Sequence, residues 1–356
     1  MMVACVDCGL PYPDSGILYK CPSCGGLFDY TQPLTYEVSA RARGVWRYAD
    51  SFGFTASPIS LVEGDTPLLP VRIFGRDLFF KCEYSNPTGS FKDRGMTTLV
   101  SMIKARGVVE AVEDSSGNAG ASFAAYAARA GIRARVFVPE SASGPKREQI
   151  GMYGAELVAI PGPRSKAAEA VLQAAEAGTV YASHAYLPFN LPGYATCAYE
   201  IVEQLGGAPG AVILPAGQGG LLLGLGRGFQ AMQHAGLIQH IPQLVGVQAS
   251  VCAPLFALWK DGTMHDMPEG DTVAEGVRVR TPLRAAAVVG MVRASGGHFK
   301  SVDEASILPG RDALARLGFY VEPTSALVWR TLEETLPELP DPVIAILTGS
   351  GFKSRV

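Results

Sequence analysis

Histidine is scarce in this 356-residue chain: His184, His234, His240, His265 and His298 are all there are. No two of them stand at the i, i+4 spacing of a helical metal pair, and none can be assigned as the base for Ser115 or Ser116, so zincin-type and acyl-enzyme chemistry find no support. His184, close to Tyr186 and Asn190, is the one histidine near a plausible substrate segment. Charge is thin as well, at 18% of residues with a formal net charge of −3. That balance argues against a nucleic-acid stripe and against an acidic interaction tail. No apolar run approaches the ~18 residues needed to span a bilayer; Leu221 to Leu225 and Ala285 to Val292 are short. The chain opens without a basic-then-apolar leader, which makes the cytoplasm the expected compartment and a membrane an unexpected partner. Internal repeats and low-complexity tracts are lacking, and neither lysine nor arginine occurs from Ala167 to Pro215.

What the chain does have is glycine, 41 residues of it, and several stand in chemically suggestive turns. The run Asn86-Pro87-Thr88-Gly89-Ser90-Phe91-Lys92-Asp93-Arg94-Gly95 places one lysine in a punctuated turn just ahead of a helical stretch, Met96 to Ile103. A helix start adds partial positive charge that lowers an amine's pKa, which suits a covalent, Schiff-base-forming lysine. Ser115-Ser116-Gly117-Asn118-Ala119-Gly120-Ala121 reads as a strand-to-helix turn whose amides favour a carboxylate, with Asn118 placed to bond a ring hydroxyl. Ser115 and Ser116 read as turn and helix-cap residues. Farther on, the strand Ala211 to Pro215 runs into Ala216-Gly217-Gln218-Gly219-Gly220-Leu221 and a small-residue helix, the pattern of a phosphate cradle. It lacks the Lys-Ser/Thr ending of a nucleoside-triphosphate loop. Near the end, Pro342 to Leu347 reads as a buried strand delivering Thr348 at its tip, a neutral hydroxyl suited to a pyridine nitrogen.

Seven cysteines are present, four of them in two knuckles, Cys5-Val6-Asp7-Cys8-Gly9 and Cys21-Pro22-Ser23-Cys24-Gly25. Two C-x-x-C-Gly turns supply four thiolates for a structural zinc ion, with no position left open for water. A disulfide framework suits a reducing compartment poorly, and redox dithiols rarely come as paired knuckles. Cys82, Cys197 and Cys252 read as buried small residues.

Taken in order, the lysine motif, the two glycine turns and the terminal strand resemble the fold-type-II pyridoxal-phosphate enzymes, the tryptophan-synthase-β-like superfamily, over about residues 60 to 351. The form Asn86 to Arg94, with Glu63-Gly64-Asp65-Thr66-Pro67-Leu68 before it, is similar to that of the threonine synthase family. This resemblance implies an α/β fold of two open twisted sheets flanked by helices, preceded here by a small zinc ribbon. It implies a large cofactor-binding domain (33–92 and 191–356), a small mobile domain (93–190) after a ribbon at 1–32, and a homodimer. It also implies pyridoxal 5'-phosphate on Lys92, ring contact from Asn118, phosphate contacts from Gly217, Gln218, Gly219, Gly220 and Leu221, and Thr348 at the ring nitrogen. Ser115, Ser116, Gly117 and Ala119 would hold a small amino-acid substrate. The implied reaction converts O-phosphohomoserine and water to threonine and phosphate.

Four departures concern the substrate, one of them Ala274-Glu275-Gly276-Val277-Arg278-Val279, which resembles the dehydratase-like branches as much as threonine synthase. Ala119 stands where a threonine is usual after the ring-contacting asparagine. Asn190-Leu191-Pro192-Gly193-Tyr194-Ala195-Thr196 offers no arginine, the residue best shaped to grip a phosphoryl group; Lys146 and Arg147, in the segment Ser143 to Arg147, are the nearest alternatives. Gly351-Phe352-Lys353-Ser354 replaces the usual Gly-Leu-Lys-Asp. Ala119 and the missing arginine favour cysteate synthase or a serine/threonine dehydratase as the alternative, and a non-catalytic zinc-ribbon binding module is a third reading that the intact lysine motif opposes. Along the rest of the chain, Pro33 to Pro58 reads as an aromatic-bearing linker or helix. Strand and helix patterns then alternate (134–138, 146–153, 157–160, 165–177), the rhythm of a parallel sheet covered on both faces. Helices are expected at 197–205, 305–317 and 323–332.

Overall fold

The computed structural model describes residues 3–39, 42–142, 144–264 and 271–355. Ser143 and His265 lie outside them. The chain forms two compact units, residues 1–63 with 92–193 and residues 64–91 with 194–356.

In the first unit, Val3–Cys5 pairs antiparallel with Phe28–Tyr30 to make the two-stranded ribbon. Its apolar side is continuous with the core of the unit: Tyr12 packs edge-on against Phe28 at 4.7 Å and Phe189 at 5.2 Å between ring centroids. The second sheet has four parallel strands in the order Glu156–Ile160, Arg133–Pro139, Glu110–Glu113, Val180–Tyr181. Helices Lys92–Ala105, Asn118–Ala130, Pro145–Met152 and Arg164–Glu176 accompany it. Parallel strands need crossovers, and these helices supply them. The segment expected as linker or helix contains 3-10 turns over Gly44–Phe52, kinked at Tyr48 (φ −108°, ψ 21°), and is built into the core. The Trp46 indole donates to the Thr97 hydroxyl at 2.7 Å, and Tyr48 and Phe52 are buried.

The second unit holds a six-stranded sheet in the order His298–Val302, Gln243–Ala249, Ala211–Pro215, Val343–Ile346, Arg76–Lys81, Leu68–Ile73. Every pairing is parallel except the last. That edge strand departs from the all-parallel rhythm because a two-residue hairpin joins it to its neighbour. Phe74 and Gly75 both have positive φ (50° and 77°), the backbone of a type I′ turn. Strands Ala211–Pro215 and Val343–Ile346 are buried at every residue, as central strands covered on both faces require. Lys81 ends one strand inside the unit, where it meets Glu200 at 2.8 Å with both side chains almost fully enclosed. A buried charge is tolerated only with such a partner and further hydrogen bonds, here from Lys81 to the Thr66 carbonyl and the Gln204 amide oxygen. No helix among the described residues is long and apolar enough to cross a membrane.

Candidate active site

Lys92 is the first residue of helix Lys92–Ala105 and is half-buried. The sequence pattern starts that helix four residues later, because Lys92, Asp93 and Arg94 read as a polar turn. They are helical because Asp93 and Arg94 are enclosed, Asp93 accepting a 2.6 Å bond from the Ser122 hydroxyl. The residues before the lysine are tied to the end of the chain: Phe91 N–H donates to the Thr348 carbonyl at 3.0 Å, and Ser90 bridges Gly349. The preceding turn is braced by Lys353, whose buried ammonium donates to the Thr88 carbonyl at 2.7 Å.

In the same unit as Lys92, the turn Ser115 to Gly120 leaves the carboxyl end of strand Glu110–Glu113 and opens helix Asn118–Ala130. Its N-cap is Gly117, with no side-chain cap. Ser115 is therefore a turn residue and not the helix cap: its hydroxyl accepts the Gly117 N–H at 3.1 Å. Gly120 is required by close approach, since a Cβ there would lie 1.8 Å from the Ser115 carbonyl oxygen. His184 sits under this turn with Nδ1 2.6 Å from Glu113. Asn190 to Thr196 is buried throughout, Asn190 donating to the His184 carbonyl and Gly193 making room for the Arg94 carbonyl. Arg147, considered as an anion contact, donates instead to the carbonyls of Glu140 and Ala142.

In the second unit, the glycine nest follows strand Ala211–Pro215 and ends at helix Gly220–His234, whose N-cap, Gly219, has φ +77° and no side-chain cap. Uncapped amides at a helix start form an anion site. The nest is closely surrounded: a Cβ at Gly217 would come within 2.8 Å of the Gly276 carbonyl, and one at Gly219 within 2.6 Å of Val288. The Gln218 side-chain oxygen accepts the Leu283 N–H at 3.1 Å, which turns that side chain toward Leu283 and fixes its orientation. Buried Gln248 donates to the Ala216 carbonyl and accepts from the amides of Leu255 and Phe256, fixing the approach to the nest. Thr348, at the tip of strand Val343–Ile346, shares a 3.0 Å hydroxyl contact with Ser325, which also receives the Gly349 N–H at 2.9 Å. Gln248 and Ser325 carry no local sequence signal.

Anion-binding amides and a buried neutral hydroxyl fit the phosphate and ring nitrogen of a pyridoxal cofactor. Gly219→Ala should therefore weaken cofactor uptake about ten-fold or more, read by titrating the apo protein with pyridoxal phosphate. Gly236→Ala, where φ is also positive (+75°) but nothing lies within 4 Å of a Cβ, should cost only about 1 kcal/mol of stability and leave uptake unchanged.

The four knuckle cysteines converge. Their sulfurs all lie within 4.8 Å of one another, Cys5 and Cys24 at 3.4 Å and Cys8 and Cys21 at 3.6 Å. These separations are far longer than the ~2.05 Å of a disulfide and near the ~3.8 Å between sulfurs at the corners of a zinc tetrahedron. Gly9 and Gly25, both at positive φ, return their N–H groups to the carbonyls of Cys5 and Cys21. The other cysteines are buried, and burial pushes the Cys82 thiol up to about 11.

Residues 59–349 match the family model described as pyridoxal-phosphate-dependent enzymes, and the chain belongs to that family. Among curated relatives, the threonine synthase of Methanocaldococcus jannaschii is 34% identical over 99% of this chain and 93% of its own length. That of Methanosarcina acetivorans is 33% identical over 90% and 84%. Among solved structures, a threonine deaminase from T.th. superimposes with a TM-score of 0.67 at 27% identity, covering 80% of this chain and 92% of that one. Maize serine racemase, at 22% identity and a TM-score of 0.70 over 80% and 88%, shares the fold.

Proposed function

We propose that this enzyme is a lyase of the threonine synthase type, converting O-phosphohomoserine and water to threonine and phosphate. The observation that carries this reading is the 34% identity to a threonine synthase across 99% of the chain, ribbon segment included. Pyridoxal phosphate, when bound, supplies the electron sink that stabilises negative charge on substrate carbons. The Lys92 amine would hold the cofactor's aldehyde carbon, yield it to the substrate amine, and then take and return protons at the substrate carbons. The amides of Gly217 to Leu221 would receive the cofactor phosphate, Asn118 the ring oxygen, and Thr348, oriented by Ser325, the ring nitrogen without protonating it. In the turn after Glu113, Ser115 and Gly117 have their amides committed internally, so Ser116 and Ala119 are the donors for a substrate carboxylate. Zinc would hold the ribbon through Cys5, Cys8, Cys21 and Cys24, and the working assembly is a homodimer.

A second reading keeps the cofactor and changes the leaving group. Ala119 and the stretch from Ala167 to Pro215 without lysine or arginine favour cysteate synthase or a serine/threonine dehydratase. The panel that decides is O-phosphohomoserine, O-phosphoserine, serine and threonine, each mixed with the yellow holoenzyme. The expected result is phosphate release and threonine formation from O-phosphohomoserine alone. Ammonia from serine or threonine, or a sulfite-dependent product from O-phosphoserine, would replace the first reading with the second. A protein that takes up no pyridoxal phosphate would reject both.

A further inference from the structure

Two adjacent carboxylates stand at the carboxyl end of strand Glu110–Glu113 and its first following residue, and the chemistry above uses neither. Glu113 is fully enclosed. One of its oxygens accepts the Ser115 N–H and the other faces His184 Nδ1 at 2.6 Å. Asp114 is held separately: the Tyr181 hydroxyl donates to it at 2.7 Å, and Arg164 donates to its carbonyl at 2.7 Å and meets its carboxylate at 3.2 Å. Burial alone would push the Glu113 carboxyl up, but His184, the Ser115 N–H and Arg164 together hold it below the ordinary carboxylate range. For Asp114, burial and the neighbouring Glu113 charge raise it. A carboxylate this deep is tolerated only because each oxygen has a strong partner.

The bond to Ser115 falls on the first amide of the turn, so it sets the direction in which the backbone leaves the sheet. The Ser115 hydroxyl then takes the Gly117 N–H, and the Ser115 carbonyl lies against Gly120 at the helix start. Any shift of the Ser115 peptide is thereby passed to the amides of Ser116 and Ala119. His184 is placed in turn by Asn190, whose amide donates to the His184 carbonyl. We propose that Glu113 and His184 are a positioning pair for the turn Ser115 to Gly120, setting the amide geometry that receives the carboxylate of the amino-acid substrate. This rests on the reading of that turn as the carboxylate site.

The test uses holoenzyme and whichever amino acid of the four-compound panel the wild type turns over. Glu113→Ala should raise KM about ten-fold or more while kcat stays within about three-fold and cofactor absorbance is unchanged. Glu113→Gln, whose amide oxygen still accepts the Ser115 N–H, should bring KM back to within about three-fold of wild type. His184→Leu should raise KM as Glu113→Ala does, and His184→Gln, which keeps a donor for Glu113, should not; this second pair decides if Glu113→Ala fails to fold. A structural role alone would lower the melting temperature and leave KM where it was, and that result overturns the inference. A wild-type holoenzyme whose spectrum responds to no amino acid would overturn the functional reading itself, and the positioning role with it.

Discussion

Lys92→Ala is expected to abolish turnover, lowering it by a factor on the order of 10⁴ or more, and to remove the borohydride-fixed cofactor from the protein. On the proposed reading two functions would be lost with one amine: covalent attachment of the aldehyde, and the proton transfers at carbon that follow. The amides of the nest at Gly217 to Leu221 and the Thr348 hydroxyl remain in the variant, so pyridoxal phosphate should still bind, non-covalently and more weakly, with the absorbance of the free aldehyde. Lys92→Arg separates the two losses, because a guanidinium keeps the positive charge at the helix start and cannot condense with an aldehyde at neutral pH. It should be as inactive as the alanine variant. Folding should survive in both, since Lys92 is only half-buried, whereas Asp93 and Arg94 next to it are enclosed. Retention of more than about one-hundredth of wild-type turnover by Lys92→Ala would place the covalent amine elsewhere.

Removing zinc should have the second largest effect, and on stability instead of chemistry. The two strands of the ribbon are three residues each, too short to stand alone. Four thiolates gathered within 4.8 Å would repel one another without a cation to share. The purified protein is therefore expected to carry one zinc per chain, and Cys21→Ser or a strong chelator to release it at a cost on the order of several kcal/mol to the ribbon. The loss should spread, because Tyr12 packs against both Phe28 and Phe189, and Arg106 donates to the Gly16 carbonyl while lying over the Tyr12 ring. Limited proteolysis should then cut within the first 32 residues, and the melting temperature should fall. A zinc-free protein with unchanged protease resistance would mean that apolar packing alone holds the ribbon.

Much of the machinery is legible in the chain because it depends on local backbone requirements. Strand Ala211–Pro215 has the bounds expected from its continuous apolar run, and the glycines after it announce a nest because only they tolerate positive φ and crowding at a helix start. The knuckle spacing likewise announces the cluster of four cysteines, whose sulfurs the fold brings within 4.8 Å of one another. Where polar residues are enclosed, the same reasoning misplaces boundaries. Helix Leu191–Leu205 begins six residues before the expected Cys197. Pro192 and Gly193 read as a loop, yet Pro costs nothing in a first helical turn and Gly193 is there to admit the Arg94 carbonyl. The aromatic stretch before Pro58 reads as linker or helix, and nothing local decides between them or reveals that Thr97 waits for the Trp46 indole.

By itself, then, the order of residues determined the cofactor class, the glycine-punctuated turns and the cysteine cluster, and it singled out Lys92 for test, since each is written in neighbours a few positions apart. Only tertiary structure decided what holds them: His184 under Glu113 across 71 residues, Lys81 with Glu200 across 119, Gln248 on Ala216 across 32, and Ser325 on Thr348 across 23. The physical reason is that a buried polar group must find a partner wherever the fold brings one, and sequence separation places no limit on where that is.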